Sequence, residues 1–262
     1  MEDSKKESKA KNFIKRYCNN KLAVIGFFTL VLITLIVIIA PPFLPFSEAE
    51  IDPLAFNMPP SAKHLLGGDD VGRDVLSRLL YGGRVSLAVG IFSTAVSVIV
   101  GIPLGMLAAF YRGAFEVVVM RLSDIFMSFP STILILFLVS MFGPSIITVT
   151  VVIGVLGWPK FARQIYGSVL SIREKDYIEG AVAIGAKDKL IITRYILPNA
   201  VAPIFISITF RIASAIILES SLSFLGMGVQ PPAASWGNML YNAQSITILT
   251  SRPWMWVPPG LA

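Results

Sequence analysis

An uncharged apolar segment of 26 residues, from Val85 to Phe110, constrains the fold of this chain more than any other feature. About 20 apolar residues in a helix cross the ~30 Å hydrocarbon core of a bilayer, because each residue advances the helix by about 1.5 Å. Across all 262 residues, 55% are hydrophobic and 15% are charged, whereas soluble domains carry about 25% charged residues. The sequence therefore predicts an all-α, polytopic membrane protein and excludes a disordered chain.

Five segments are predicted to cross the membrane, since each is apolar and long enough for a spanning helix. They are 22–40, 85–110, 125–142, 144–159 and about 200–225. Gly143 is expected to form the tight turn between the third and fourth spans. A sixth apolar segment begins at Trp254 and reaches the end of the sequence at Ala262 after nine residues, so we expect the chain to stop within a sixth span.

The distribution of Lys and Arg predicts the orientation, because these residues are enriched on the cytoplasmic side of membrane proteins. With the N-terminus inside, segments 1–21, 111–124 and 160–198 carry sixteen of the 22 Lys and Arg, and the outer segments carry five. The net charge of +6 then reflects topology and anionic lipid, not nucleic acid. We predict a multi-pass protein of the cell membrane with a cytoplasmic tail at 1–21, a first helix at 22–40, an extracytoplasmic loop at 41–84, and a core at 85–262 that includes an inner loop at 160–198.

Few residues of this chain could perform chemistry on their own. The single cysteine, Cys18, and the single histidine, His64, exclude a disulfide framework and any site that needs two imidazoles. Segment 67–74 has the glycine spacing of a phosphate-binding loop, but it ends in Arg73-Asp74, and a carboxylate would repel the phosphates. A helix capped near Asp69 or Asp70 is the expected structure here. The alternative is an outer metal site formed by His64, Asp69, Asp70 and Asp74. With the capped helix preferred, we predict no catalytic, cofactor-binding or metal site.

The second predicted span carries a stripe of small residues at intervals of four. Its members lie on one face of a helix and allow another helix to approach closely. They are Ser93, Ser97, Gly101, Gly105 and Ala109. The stripe predicts a neighbouring helix, and Pro103 between the two glycines is expected to kink the span.

The inner loop at 160–198 is rich in charged, helix-forming residues and predicts two short helices at an angle. The segment 176–184 is amphipathic, with Tyr177, Ala181 and Ile184 on one face and Gly185 at its end. A second amphipathic segment ends at Leu197-Pro198. From periodicity alone, the alternative is a helix pair that lies on the lipid headgroups.

Residues Glu179-Gly180-Ala181, Gly185 and Leu197-Pro198 resemble the EAA loop of ABC importer permeases, written E-A-A-x3-G-x9-I-x-L-P. Gly180 replaces an Ala and Tyr195 replaces the Ile of that pattern. The resemblance implies that this loop docks on a partner ATPase, with Tyr177, Glu179, Gly180, Ala181, Gly185, Leu197 and Pro198 as the coupling residues.

Further segments resemble the second, C-type permease subunit of the dipeptide, oligopeptide and nickel branch. They are 64–67, 72–82, 197–200, 219–226 and 231–240. The resemblance implies a six-span permease fold that imports di- or oligopeptides, with nickel as the alternative substrate. It implies no cofactor in this subunit and, as partners, a homologous permease, two cytoplasmic ATPases that use ATP and Mg²⁺, an extracytoplasmic substrate-binding protein and membrane lipid.

The fifth predicted span contains two charged residues, Arg211 and Glu219, on one helical stripe. A charged residue at the bilayer centre needs a partner or water, because burial in lipid costs about 3 kcal/mol on insertion scales. Both residues are candidates for the lining of a translocation path, with hydrogen bonding between subunits as the alternative. An ion-coupled secondary transporter is the rival function, but it would need more intramembrane carboxylates than Glu219 alone.

Overall fold

The computed structural model describes residues 20–262, which fold into helices, with a long connection at residues 40–74 between the first two. Residues 1–19 of the predicted tail, including Cys18 and six of its Lys and Arg residues, lie outside the described residues. The helices are α1 (Lys21–Ile39), α2 (Val75–Tyr111), α3 (Gly113–Ser128), α4 (Ser131–Phe142), α5 (Ile146–Arg173), α6 (Asp176–Ala183), α7 (Asp188–Leu190), α8 (Leu197–Val201), α9 (Ile204–Phe224), α10 (Trp236–Asn242), α11 (Ile246–Ser251) and α12 (Pro253–Leu261).

The predicted fold class is confirmed, because four of these helices are long and apolar enough to cross a membrane. They are α1, α2, α5 and α9. A fifth crossing is possible if α3 and α4 act as one span, but these two helices meet at a bend of 88°. The prediction of one continuous helix over 125–142 is therefore wrong. Phe129 takes an extended conformation, which the following Pro130 favours.

Two more boundaries differ from the sequence-based prediction, and in both cases helix replaces loop. Segment 111–124, predicted as a connection, lies mostly within α3, and the chain turns sharply just before it, at Arg112, where φ is +57°. Helix α5 passes through Pro159 and continues to Arg173, so the inner connection begins after this residue and not at Lys160. Residues such as Lys160 and Gln164 are good helix formers, and the charge that marked them as a loop did not end the helix.

Helix α2 is the centre of the fold, and its small-residue stripe is buried as predicted. The stripe packs against α5: a Cβ atom added at Gly101 would lie 2.6 Å from the Trp158 carbonyl oxygen, and one at Gly105 would lie 2.1 Å from that of Ala162. Only glycine permits this approach. Pro103 lies within α2 without ending it.

Helix α2 begins later than the sequence indicated. Asp74, and not Asp69 or Asp70, is its N-cap, and its carboxylate accepts a hydrogen bond of 2.7 Å from the Ser77 N–H. The described chain thus has two polar regions at opposite ends of α2: residues near Asp74 at its start, and the connection between α5 and α9 at its end.

Candidate functional site

The connection between α5 and α9, residues 176–201, is a helical hairpin whose turn is fixed by Gly185. Gly185 has a φ of +78°, which residues with a side chain rarely adopt. Its N–H donates to the Val182 carbonyl at 2.9 Å, and the Ala186 N–H donates to that of Ala181 at 3.0 Å. This pair of bonds is a Schellman motif, which ends α6 and reverses the chain. The predicted helix end at Gly185 is confirmed.

One side of α6 is buried in the protein and the other is exposed. Ile178 and Ala181 are buried, whereas Tyr177, Glu179 and Gly180 are exposed. The predicted face of Tyr177, Ala181 and Ile184 is therefore wrong, because Ala181 is 7% exposed and Ile184 is 85% exposed. The buried direction of α6 lies between Ile178 and Ala181, so Tyr177 falls at its edge, and Ile184 lies beyond the end of the helix.

The second half of the hairpin is irregular. Residues Ile191–Ile196 form a π-helical segment between α7 and α8. Pro198 follows directly at the start of α8; it has no N–H to donate, and its ring would crowd the carbonyl one turn earlier in a regular helix. Pro198 is exposed and Leu197 is half-buried.

The buried side of the hairpin is continuous with the spanning helices. One apolar cluster joins α2, α5, α6, the π-helical segment, α8 and α9. Its buried members are Ala109, Phe161, Ile165, Val169, Ile178, Ala181, Ile191, Ile196, Ala200 and Ile204. A displacement of α6 must therefore be transmitted to α5 and α9, because close-packed apolar cores resist local deformation.

A groove of about 750 Å³ lies between α6 and the junction of α2 with α3. Its lining combines cations from the junction and from α5 with acids that follow α5. The lining residues are Phe110, Tyr111, Arg112, Arg173, Glu174, Ile178, Glu179, Val182, Ala183 and Asp188. Glu179 thus stands at the rim of an open groove of mixed charge.

Glu219, a predicted lining residue of a path, is fully buried within this chain. Its carboxylate accepts hydrogen bonds from the hydroxyls of Ser86, at 2.9 Å, and Ser223, at 2.7 Å. The Ser223 hydroxyl also accepts the Val229 N–H, at 3.1 Å. Within this chain Glu219 therefore joins α2, α9 and the following loop.

Arg211 is placed differently. Its Nη2 donates to the Ile153 carbonyl of α5 at 2.8 Å, while its Nε is buried without a hydrogen-bond partner among the described residues. The guanidinium lies against Gly157, where an added Cβ would be 2.4 Å from Nη2. Arg211 also lines a recess between α5 and α9. Arg211 and Glu219 lie on one helical stripe, but their side chains bond to different residues and do not form a common site.

The start of α2 holds a group of buried charged residues, of which the sequence had grouped His64, Asp69 and Asp74 only as ligands of the alternative metal site. Asp69 accepts a hydrogen bond of 2.7 Å from Arg73 Nε, and its other oxygen accepts the N–H groups of Val71 and Arg73. Arg78 is 1% exposed; it lies 3.6 Å from Asp69 and donates to Asn238 Oδ1 at 3.3 Å. The i, i+4 spacing of Asp69 and Arg73 is the local sequence signal for their ion pair.

His64 extends this group. Its Nδ1 lies 2.9 Å from Asp74 and its Nε2 lies 3.3 Å from Asp52, and its ring stacks on Phe46 with 4.6 Å between the centroids. Asp52 also accepts from Lys63 Nζ at 2.5 Å. We call these residues the polar cluster: Glu48, Asp52, Lys63, His64, Asp69, Arg73, Asp74, Arg78 and Asn238.

The pKa values of two carboxyl groups, one in the polar cluster and one beside it, are shifted in opposite directions. The hydrogen bond from Lys63, helped by the Leu54 N–H, lowers the pKa of Asp52 to about 2. Burial raises the pKa of the neighbouring Asp70. Within residues 20–262 no group of three His, Cys, Asp or Glu side chains is arranged to hold a metal ion. His64 and Asp69 instead bond to separate partners, which is contrary to the alternative of a metal site.

Comparison with known proteins agrees with this fold. The family described as the binding-protein-dependent transport system inner membrane component matches residues 101–257. The N-terminal transmembrane domain of oligopeptide transport permease C matches residues 8–60. A solved structure of the MetNI methionine ABC transporter, in an inward-facing conformation, has a TM-score of 0.55 at 20% identity and covers 70% of this chain and 92% of that chain. At this identity the match shows the fold alone.

Relatives extend over almost the whole sequence. A Brucella ovis protein, provisionally named a peptide permease, is 39% identical over 94% of this chain and 81% of its own length. A dipeptide transport system permease protein of Alkalihalophilus pseudofirmus is 37% identical over 95% of this chain and 81% of its own length. An oligopeptide transport system permease protein of Bacillus subtilis is 32% identical over 95% of this chain and 82% of its own length. The chain therefore belongs to the family of inner membrane components of binding-protein-dependent transport systems.

Proposed function

We propose that this chain is the permease subunit of an ATP-driven importer that carries di- or oligopeptides across the cell membrane. The names of the relatives, dipeptide and oligopeptide transport permeases, support this substrate class. In this proposal the chain pairs with a homologous second permease. Two cytoplasmic ATPases, which bind ATP and Mg²⁺, supply the energy, and an extracytoplasmic binding protein delivers the peptide.

The observation that carries the proposal is the two-sided structure of α6. Its exposed side presents Tyr177, Glu179 and Gly180, and its buried side belongs to the apolar cluster that joins α2, α5 and α9. A partner that moves α6 would therefore move the spanning helices. We assign the ATPase contact to the exposed side, while Ala181 and Gly185 hold the hairpin in shape. Leu197 and Pro198 position the return of the chain into α9.

This mechanism needs no chemistry from the permease itself. Closure of the ATPases would push α6 and shift the balance between two packings of the helices, one open to each side of the membrane. The hairpin, with α6 at its end, faces the cytoplasm in this proposal, and so does the N-terminal tail. ATP hydrolysis belongs to the partner subunits.

A site-specific crosslink tests the ATPase contact directly. Cys18 is the only cysteine, so Cys18→Ser gives a background in which Glu179→Cys is the single reactive site. In the assembled transporter, a short thiol-directed photocrosslinker at position 179 should capture an ATPase subunit. The matched control is Glu50→Cys, an exposed acidic position near the start of α2, which should capture no ATPase. Capture of lipid alone from position 179 would refute the assignment.

Two substitutions test the function of the same surface. Glu179→Lys reverses the exposed charge, and Gly185→Trp places a large side chain in open space at a residue with positive φ. We expect both variants to insert into the membrane but to lose peptide uptake and the ATPase stimulation by loaded binding protein. Glu50→Lys should keep both activities. Uptake of peptide without any ATPase would instead favour an ion-coupled transporter, and uptake of nickel alone would correct the substrate.

A further inference from the structure

A recess of about 280 Å³ between α5 and α9 is lined by polar and cationic side chains and by two phenylalanines. It lies beside the Arg211 contact with Ile153. The residues that line it are Lys160, Phe161, Gln164, Ser207, Phe210, Arg211 and Ser214. None of them is acidic. The recess therefore presents positive charge and hydrogen-bond donors between two spanning helices.

The donors in this recess are not used up by the protein. Arg211 Nη2 bonds to the Ile153 carbonyl, but the buried Nε has no partner among the described residues. Within residues 20–262 no carboxylate lies in ion-pair distance of Lys160 or Arg211. Arg163, one position beyond Ala162 on α5, does form an ion pair, with Asp124. The cations of the recess thus differ from their neighbour in lacking an anion.

The lack of a carboxylate near these cations matters because the recess lies between two spanning helices. Arg211 lies seven residues after the start of α9, which places it about 10 Å along a span. Charged groups at such depth face a partner or water, because the apolar layer solvates them poorly. Two cations and an amide that line one recess without an acid form a site of the kind that binds carboxylate or phosphate oxygens.

We propose that the recess formed by Lys160, Gln164 and Arg211 binds an oxyanion. Two sources share this chemistry: the terminal carboxylate of a transported peptide and the phosphate of a membrane lipid. The first source rests on the proposed function, and the second does not. Gly157 supports the site by leaving room for the guanidinium beside α5.

A binding measurement tests the recess without transport. Thermal unfolding of the purified complete transporter is followed with added peptide acid, with the same peptide as its C-terminal amide, or with phosphatidylglycerol. We expect the wild-type Tm to rise with the acid or with the lipid and not with the amide. Lys160→Gln and Arg211→Gln should lose this rise, and Arg211→Lys should keep part of it. Arg163→Gln removes a cation outside the recess and should behave as wild type.

Transport then distinguishes the two sources. For each variant, the rate of uptake of the peptide acid is divided by that of the peptide amide, and this ratio is compared with the wild-type ratio. A preference of the binding protein for one of the two peptides affects every variant equally and therefore cancels. If the anion is the peptide, Lys160→Gln and Arg211→Gln should reduce this ratio by about tenfold to a hundredfold, as expected for one lost charge-assisted hydrogen bond. If it is lipid, both variants should lose only their response to phosphatidylglycerol in phosphatidylcholine vesicles.

The two proposals fail in different ways. Wild-type protein that imports no peptide with its ATPases would refute the proposed function, while a Tm rise specific to phosphatidylglycerol would still support the recess. A Tm response and an uptake ratio that are the same in wild type, Lys160→Gln and Arg211→Gln would overturn the recess. Lys160→Gln protects this test from misfolding, because Lys160 is exposed and Arg211 also bonds to α5.

Discussion

The two ends of α2 hold their polar residues in opposite ways. In the polar cluster at its start, most charged side chains are buried, and the cluster bonds to distant parts of the chain: Arg78 to Asn238, and Glu48 to the Ala234 N–H. In the hairpin at its end, charged side chains such as Glu179 are exposed, and the buried side is apolar. A satisfied buried polar network fixes one arrangement, whereas an exposed polar face can be covered by a partner.

The difference assigns separate tasks to the two ends. The polar cluster ties the loop before α2 to the start of α10 and holds that end of the molecule together. The hairpin has irregular helix in its second half, and π-helical segments are frequent at functional sites. One end therefore has a fixed geometry, and under the proposed function the other is the end that a partner contacts and moves. Substitutions of the same type at the two ends should have unequal effects on stability.

The largest difference in stability between the two ends is expected when a glycine at each end is replaced by valine. Gly68→Val in the loop before α2 would place a Cβ 1.8 Å from the backbone oxygen of Ala55, which cannot move aside. We expect it to lower the free energy of unfolding by about 4 kcal/mol or to prevent folding. Gly180→Val on α6 has open space and should change it by less than about 0.5 kcal/mol. Thermal unfolding in detergent measures both, and equal Tm values would contradict the comparison.

Removal of a cation should show the same asymmetry at a smaller size. Arg78→Met deletes the bonds to Asn238 and to the Glu48 carbonyl and leaves Asp69 with less compensation. A loss of about 3 kcal/mol is expected for one partner of a buried charged pair. Lys187→Met, at an exposed hairpin position, should be close to neutral. If Arg78→Met unfolded at the wild-type temperature, the polar cluster would not be the rigid end.

These two ends also show what the sequence could predict. The small-residue stripe of α2 and the glycine turn of the hairpin were predicted because their signals are local, a spacing of four and a residue suited to positive φ. The bend at Phe129-Pro130 was missed because an apolar run does not reveal its own break. His64, Asp69 and Asp74 of the polar cluster were grouped from the sequence only as an alternative metal site. Their hydrogen-bonded network was missed because it includes bonds between residues far apart, such as Arg78 and Asn238. Local periodicity contains no information about such pairs.

Glu219 tests whether a buried carboxylate in a span serves the fold or a path. Glu219→Leu would leave the hydroxyls of Ser86 and Ser223 without their acceptor, and we expect a loss of about 2 kcal/mol. Glu219→Gln retains one acceptor oxygen and should stay within about 1 kcal/mol of wild type. Unfolding temperature and peptide uptake should fall together in the Leu variant and be nearly normal in the Gln variant. A Gln variant that folds but takes up no peptide would instead indicate that Glu219 acts in the translocation path.

The hairpin turn should give a smaller effect. Gly185→Ala keeps open space around the new Cβ but places it at a φ of +78°, which costs about 1 kcal/mol. Gly180→Ala, five residues earlier within α6, should instead stabilise the helix by up to about 1 kcal/mol. Hydrogen exchange of the α6 amides reports the two changes locally. Faster exchange in the Gly180 variant than in the Gly185 variant would show that the turn does not hold α6.

The smallest effect is expected for Lys63→Met, at the exposed edge of the polar cluster. Lys63 is the main cause of the Asp52 pKa near 2, and the ordinary value is 3.8. Because the pKa is lower in the folded state, the Asp52 carboxylate stabilises the fold above pH of about 4, and this contribution disappears as the pH falls through about 2. Lys63→Met should therefore raise the Asp52 pKa, seen by NMR titration of ¹³C-labelled aspartate. The Tm near neutral pH should barely change, since Leu54 and His64 still bond to Asp52. An unchanged pKa in this variant would mean that the buried part of the cluster, and not its exposed lysine, sets the charge of Asp52.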